Sequence, residues 1–172
     1  MSKKKQKSSP LLFKIKTVIP IIIGTLAADQ LTKLIILYTL TKHQIVYICS
    51  VFNFTLTYNT GVSFGMFQSN GMLGFWLLIL MATGLCGYLT HLVIQTKDRF
   101  EEISFSLIIG GAIGNILDRF FYGGVVDFLQ FHLKQYYWPT FNIADSAIVI
   151  GVILVLGSQT WHSLKNIIKK GK

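Results

Sequence analysis

Seven carboxylates are all that this 172-residue chain carries, and four of them stand in apolar surroundings. Asp98, Glu101 and Glu102 share one short charged link, where contact with water explains them. Asp29, Asp118, Asp127 and Asp145 instead lie within or beside long hydrophobic runs. An acid at bilayer depth costs about 2.5–3.5 kcal/mol to insert, so such residues face inward and either pair or do proton chemistry. Pairing suits Asp29 and Asp118, which have Lys33 and Arg119 as possible partners. It suits Asp127 and Asp145 poorly, because the four acids must share Lys33, Lys42, Arg119 and Lys134. Two carboxylates brought together favour a single shared proton, through like-charge repulsion and desolvation. A pair in that state offers a general base and a general acid side by side. Asp127 and Asp145 are the candidates for this chemistry.

Their polar neighbours follow helical spacing. Asn115, Asp118 and Arg119 stand at i, i+3 and i+4 and would share a face; Asn142, Asp145 and Ser146 repeat the interval. A plain ion pair with Asp118 is an equally good role for Arg119, although adjacent residues diverge on a helix. Gly110-Gly111-Ala112-Ile113-Gly114 forms a small-residue surface that lets another helix approach, which is a packing role.

The elements that must position these groups are membrane spans. Hydrophobic residues make up 52% of the chain and charged residues 13%, about half the charge of an ordinary soluble domain. Mean hydropathy is +0.55. Crossing a hydrocarbon core of ~30 Å takes roughly 20 apolar residues. Four segments qualify, at about 17–38, 72–95, 103–121 and 143–163, giving a single four-span domain (17–172) behind a basic tail (1–16). The first could be a cleaved leader ending at Leu26-Ala27-Ala28, but the apolar run resumes from Leu31 to Leu40, as in a retained helix.

The net charge of +9 is concentrated in Lys3, Lys4, Lys5, Lys7, Lys14 and Lys16 before the first span, Lys97 and Arg99 between the second and third, and Lys165, Lys169, Lys170 and Lys172 after the fourth. That distribution follows the positive-inside rule and places both termini in the cytoplasm. It argues against a nucleic-acid surface, where basic residues would interleave with aromatics on one face. All four apolar-context acids then gather near the outer surface. In the first outer loop, Phe52, Phe54, Leu56 and Tyr58 alternate with Asn53, Thr55, Thr57 and Asn59, the period of a strand with one buried face; Gln44–Ile48 could pair with it. The second outer loop (Tyr122, Phe128, Phe131, Tyr136, Tyr137, Trp138, Phe141) has the composition of an interfacial aromatic belt.

Other chemistries find little support. Cys49 and Cys86 make no disulfide framework, and no metal-ligand spacing occurs. Asn53-Phe54-Thr55 matches a glycosylation sequon but reads better as strand alternation. Gly61-Val62-Ser63-Phe64-Gly65 matches G-x-S-x-G, yet four spans leave no room for the α/β elbow that gives this motif meaning; an intramembrane serine peptidase using Ser63 is the competing enzyme. A transporter would use buried acids as an ion path, but its polar groups would sit near the midplane, often with repeats, and no repeat is visible.

At the same residues the chain resembles the lipoprotein signal peptidase (signal peptidase II) family. The matching segments are Asp29-Gln30-Leu31-Thr32-Lys33, Asn59-Thr60-Gly61-Val62-Ser63-Phe64, Gly110 to Arg119, Val125-Val126-Asp127-Phe128 and Phe141-Asn142-Ile143-Ala144-Asp145. The resemblance implies an all-α, four-span protein of the bacterial inner membrane, with a small extracytoplasmic β cradle near 44–59. It implies an aspartyl endopeptidase that cleaves diacylglyceryl-modified prolipoproteins just before the lipidated cysteine. In that reading Asp127 and Asp145 are the catalytic dyad and Asn59, Asn115, Arg119 and Asn142 line the substrate site. Asp29 and Asp118 are supporting, no cofactor is needed, and membrane lipids and globomycin-type inhibitors are partners.

Overall fold

The structure, a computed structural model, describes residues 10–61 and 71–170. Lys3, Lys4, Lys5, Lys7, Ser63 and Lys172 lie outside the described residues. Among the described residues four helices form: α1 (Pro10–Thr39), α2 (Gly71–Gln95), α3 (Arg99–Tyr122) and α4 (Ile143–Lys170). Each is long and apolar enough to cross a bilayer, over Lys14–Thr39, Met72–Gln95, Arg99–Tyr122 and Ile143–Lys169, segments that include every expected span. α1 runs unbroken through Asp29-Gln30.

The third helix is the hub. Buried residues make up 56% of its most apolar 18-residue stretch, against 17–22% in the corresponding stretches of the other three. The small-residue surface explains how α1 and α4 come so close. A Cβ on Gly111 would lie 2.5 Å from the Ala144 carbonyl oxygen of α4, so the two backbones touch there. We expect Gly111→Ala to destabilise the bundle by about 1–3 kcal/mol, the usual cost of overpacking. Gly87→Ala, which would place its methyl where nothing lies within 4 Å, should be harmless. Thermal midpoints of the detergent-solubilised variants check the pair. The outer helices expose Ile19, Ile23, Leu31, Ile35, Leu80 and Ile153, which is how helices solvated by hydrocarbon satisfy every backbone group internally and turn their apolar side chains outward.

The helix ends are tied by polar groups. Lys14 donates to the carbonyls of Val93 (2.9 Å) and Ile94 (2.7 Å), and also to that of Thr96, neutralising the exposed carbonyls at the end of α2. Asp98 caps α3 by accepting from the Phe100 N–H at 2.7 Å. At its other end α3 stops at Gly123 (φ 72°), whose left-handed backbone suits glycine and turns the chain at once into the sheet.

That sheet is antiparallel, in the order β1 (Ile45–Cys49), β2 (Phe52–Asn59), β3 (Val125–Leu133), β4 (Tyr136–Tyr137). The β1–β2 hairpin matches the expected pairing. Two sequence expectations need correction. The 122–142 segment is not simply an aromatic belt: Val125–Leu133 is a strand, and Phe128, 3% exposed, packs with Ile36, Leu40, Leu56 and Val126. Tyr136 and Trp138 do remain exposed. The second concerns β2, whose polar face is as covered as its apolar one, with Asn53 at 0% and Thr55 at 3% exposure. Side chains on both faces of β2 are covered, so alternation along it does not separate core from solvent.

Candidate functional site

α1 and α3 bring their last turns to the place where β3 and α4 begin, and the polar residues of the four apolar-context segments converge there. At the back lies Lys33, 1% exposed, with Nζ 2.7 Å from Asp29 Oδ2 and 2.7 Å from Asp118 Oδ2. Both acids are fully buried. Asp29 fits against α3 because residue 114 is glycine; a Cβ there would stand 2.5 Å from Asp29 Oδ2. Gln30 Nε2 reaches Asp29 Oδ2 (3.1 Å) and Asp118 Oδ1 (3.0 Å). The Asp29–Lys33 pair was legible from its i, i+4 spacing. The second arm to Asp118 and the part played by Gln30 were not, because they depend on helix packing.

The ion pair considered between Arg119 and Asp118 does not form. One residue further along a helix is a rotation of about 100°, and Arg119 points elsewhere. Its guanidinium donates to the carbonyls of Asn115 (3.0 Å) and Gly61 (3.2 Å), while its buried Nε has no partner among the described residues.

In front of the lysine are Asp127 and Asp145, brought together by one asparagine. Asn142 is the residue before α4, where its Oδ1 accepts from the Asp145 N–H at 2.8 Å and its own N–H donates to Asp145 Oδ2 at 3.3 Å. This reciprocal capping box fixes the Asp145 side chain over the helix start. The shared helical face expected for Asn142 and Asp145 is therefore corrected: Asn142 caps the helix from outside it. Its Nδ2 reaches across to Asp127 Oδ1 at 2.7 Å.

Asn59, at the end of β2, donates to Asp127 Oδ2 at 3.2 Å, and Asn115 donates to Asp145 Oδ1 at 2.8 Å. Every carboxylate oxygen of the two aspartates thus accepts an N–H. Asp127 is 1% exposed, and burial, followed by the nearby charge of Asp145, pushes its carboxyl up to about 7. The amides of Asn59 and Asn142 and the Lys33 charge pull the other way.

A cavity of about 670 Å³ opens onto this cluster. Its lining combines polar residues (Asn59, Gly61, Arg119, Asp145 and Ser146) with apolar ones (Trp138, Phe141, Ile148, Val149 and Ile150). Asp127 lies just behind the wall, held by Asn59 and Asn142. A second cavity, about 540 Å³ between α1 and the sheet, is lined by apolar side chains and two threonines and holds no titratable group.

The chain is similar to known proteins over most of its length. Residues 21–161 match the family model for signal peptidase (SPase) II. The lipoprotein signal peptidase of Azoarcus sp. (strain BH72) is 41% identical over 137 residues, covering 79% of this chain and 78% of that protein. That of Thermodesulfovibrio yellowstonii is 43% identical over 129 residues, 75% of this chain and 84% of its own. A solved bacterial membrane enzyme, determined in meso at 2.3 Å, superposes with a TM-score of 0.78 at 30% identity, over 87% of this chain and 90% of that one. This four-helix membrane protein belongs to the signal peptidase II family.

Proposed function

We propose that the chain removes signal peptides from diacylglyceryl-modified prolipoproteins, hydrolysing the bond just before the lipidated cysteine with Asp127 and Asp145 as an aspartyl dyad. The observation that carries this reading is Asn142, which hydrogen-bonds both carboxylates beside a cavity lined by polar and apolar side chains together. Amide hydrolysis is slow because water is a weak nucleophile and an amine a poor leaving group. An ionised carboxylate that takes a proton from water and a protonated one that polarises the carbonyl address both difficulties.

Asp145 is the better base, since it accepts a main-chain N–H at the positive end of α4. Asp127, pushed up to about 7, is the better acid. Water held between them adds to the carbonyl carbon, its proton passing to Asp145. The C–N bond then breaks as a proton reaches the departing amine. The unpartnered Arg119 Nε, with Asn59 and Asn115, is suited to hold the substrate backbone. The apolar side chains of the lining would face the acyl chains, with the basic termini cytoplasmic and the site on the extracytoplasmic side. Globomycin-type inhibitors should occupy the same cavity.

A gel-shift assay with a diacylglyceryl-modified prolipoprotein tests the reading, with the product's new N-terminus checked by mass. Cleavage just before the modified cysteine supports it. Cleavage that persists in both aspartate variants and is lost on Ser63→Ala transfers the chemistry to serine.

The dyad also sets a pH dependence. Asp127 holds its proton below about pH 7 and loses it above, leaving two anions and no acid. The cleavage rate should therefore fall tenfold per unit on an alkaline limb that begins near neutrality, a macroscopic property of the coupled pair. A rate that keeps rising to about pH 9 contradicts the assignment of Asp127 as the acid.

A further inference from the structure

We infer that Lys33 is a positioning residue for the Asp127–Asp145 pair: its single buried ammonium sets where both aspartates stand by holding the two carboxylates that anchor the backbone in front of them. The inference rests on the catalytic reading of that pair. Asp29 Oδ1 accepts the main-chain N–H of Ala144 at 2.9 Å, and Ala144 immediately precedes Asp145. Asp118 Oδ2 accepts the N–H of Val126 at 3.0 Å, and Val126 immediately precedes Asp127. The same Lys33 Nζ stands 2.7 Å from each of these acids.

A β-strand and a helix N-terminus, which share no backbone hydrogen bond at these two residues, are thus locked at a fixed separation through one cation. A third contact acts on Asp145 more directly. Asn115 Oδ1 accepts from Lys33 (3.3 Å) and from Asn142 (3.2 Å), so its amide oxygen is committed and its NH₂ turns to Asp145. Lys33 is not among the residues that line the cavity, so it acts on the site through these partners and through its charge, which favours the ionised form of Asp127.

Displacing a reacting group by about 1 Å can cost on the order of 100-fold in rate. A residue with only this task should lower kcat and leave KM nearly alone. A purely structural residue should lower the yield of folded enzyme while each folded molecule works normally. Lys33→Arg keeps the charge but replaces a compact ammonium with a longer planar fork; Lys33→Met with Asp118→Asn removes one charge of each sign and keeps the net charge of the cluster.

Both are assayed per folded molecule, taking the monodisperse fraction from size exclusion, against a synthetic lipidated peptide. We expect kcat to fall roughly 10-fold for Lys33→Arg and roughly 100-fold for the double variant, with KM within about threefold of the parent. A kcat within threefold of the parent in either folded variant overturns the inference, as does a loss carried by KM. If neither yields folded enzyme, Lys33 is a folding residue and the inference fails. Asp127→Asn run alongside separates the two failures: if that variant cleaves normally, the dyad reading has failed, whereas an inactive Asp127→Asn beside a fully active Lys33 variant defeats the positioning role alone.

Discussion

Asp127→Asn and Asp145→Asn should each abolish prolipoprotein cleavage, lowering the rate by on the order of 10⁴-fold or more, while the protein still inserts and folds. The expectation of a normal fold comes from the partners. An asparagine at 127 keeps one oxygen to accept from Asn142 or Asn59, whose amides hold Asp127 at 2.7 and 3.2 Å. An asparagine at 145 can still accept the Asn142 N–H through its one oxygen, which keeps the capping geometry and gives up the bond from Asn115. What neither can do is ionise or share a proton. If the two carboxylates act as the proposed unit, the double variant will be no slower than the worse single one, a non-additivity that separates a dyad from two independent contributors. Rates measured by gel shift, with unfolding midpoints for the same preparations, check the claim. A variant that retains a tenth of parental activity removes its residue from the mechanism.

The second large effect is expected at Asn142, where structure and chemistry can be taken apart. Asn142→Ser retains a good helix cap, so α4 should start normally and stability should change by only a few tenths of a kcal/mol; Asn142→Ala loses the cap and about 1 kcal/mol. Both variants lose the amide donor that reaches Asp127 Oδ1 at 2.7 Å. Cleavage should fall on the order of 100-fold in both, in spite of their different stabilities. If the serine variant cleaves like the parent, Asn142 is merely a cap, and Asp127 is held by Asn59 and the sheet alone.

The spans were plain in the sequence, because so long a run of apolar side chains is at home in lipid and out of place in water. The acids were conspicuous too: a carboxylate between Ala28 and Gln30 or between Leu117 and Arg119 has no cheap place in hydrocarbon. The strand carrying Asp127 was concealed. Val125 and Val126 are both buried, as is Phe128, so the period-2 signature is lost where β3 runs between α1, β2 and the start of α4.

The function of Asn142 was half visible. Asn-x-x-Asp before an apolar run is a capping-box spacing, but helical spacing alone gave a face inside the helix. The pairing of Lys33 with two acids was hidden for a different reason. Only the packing of α1 on α3, through Gly114, brings Asp118 to the same ammonium as Asp29. Local contacts could be read from spacing, whereas the contacts that join three or four elements required the assembled bundle.

The dyad is tested most directly by a crystal structure with a bound peptide analogue in which a hydroxyl-bearing carbon replaces the scissile carbonyl. That hydroxyl should lie within about 2.6–3.2 Å of a carboxylate oxygen of Asp127 and of Asp145 at once, the reach of proton transfer, with the analogue's apolar end along Ile148–Ile150. An inhibitory analogue whose hydroxyl contacts neither aspartate, or lies against Ser63 instead, would contradict a catalytic role for the pair.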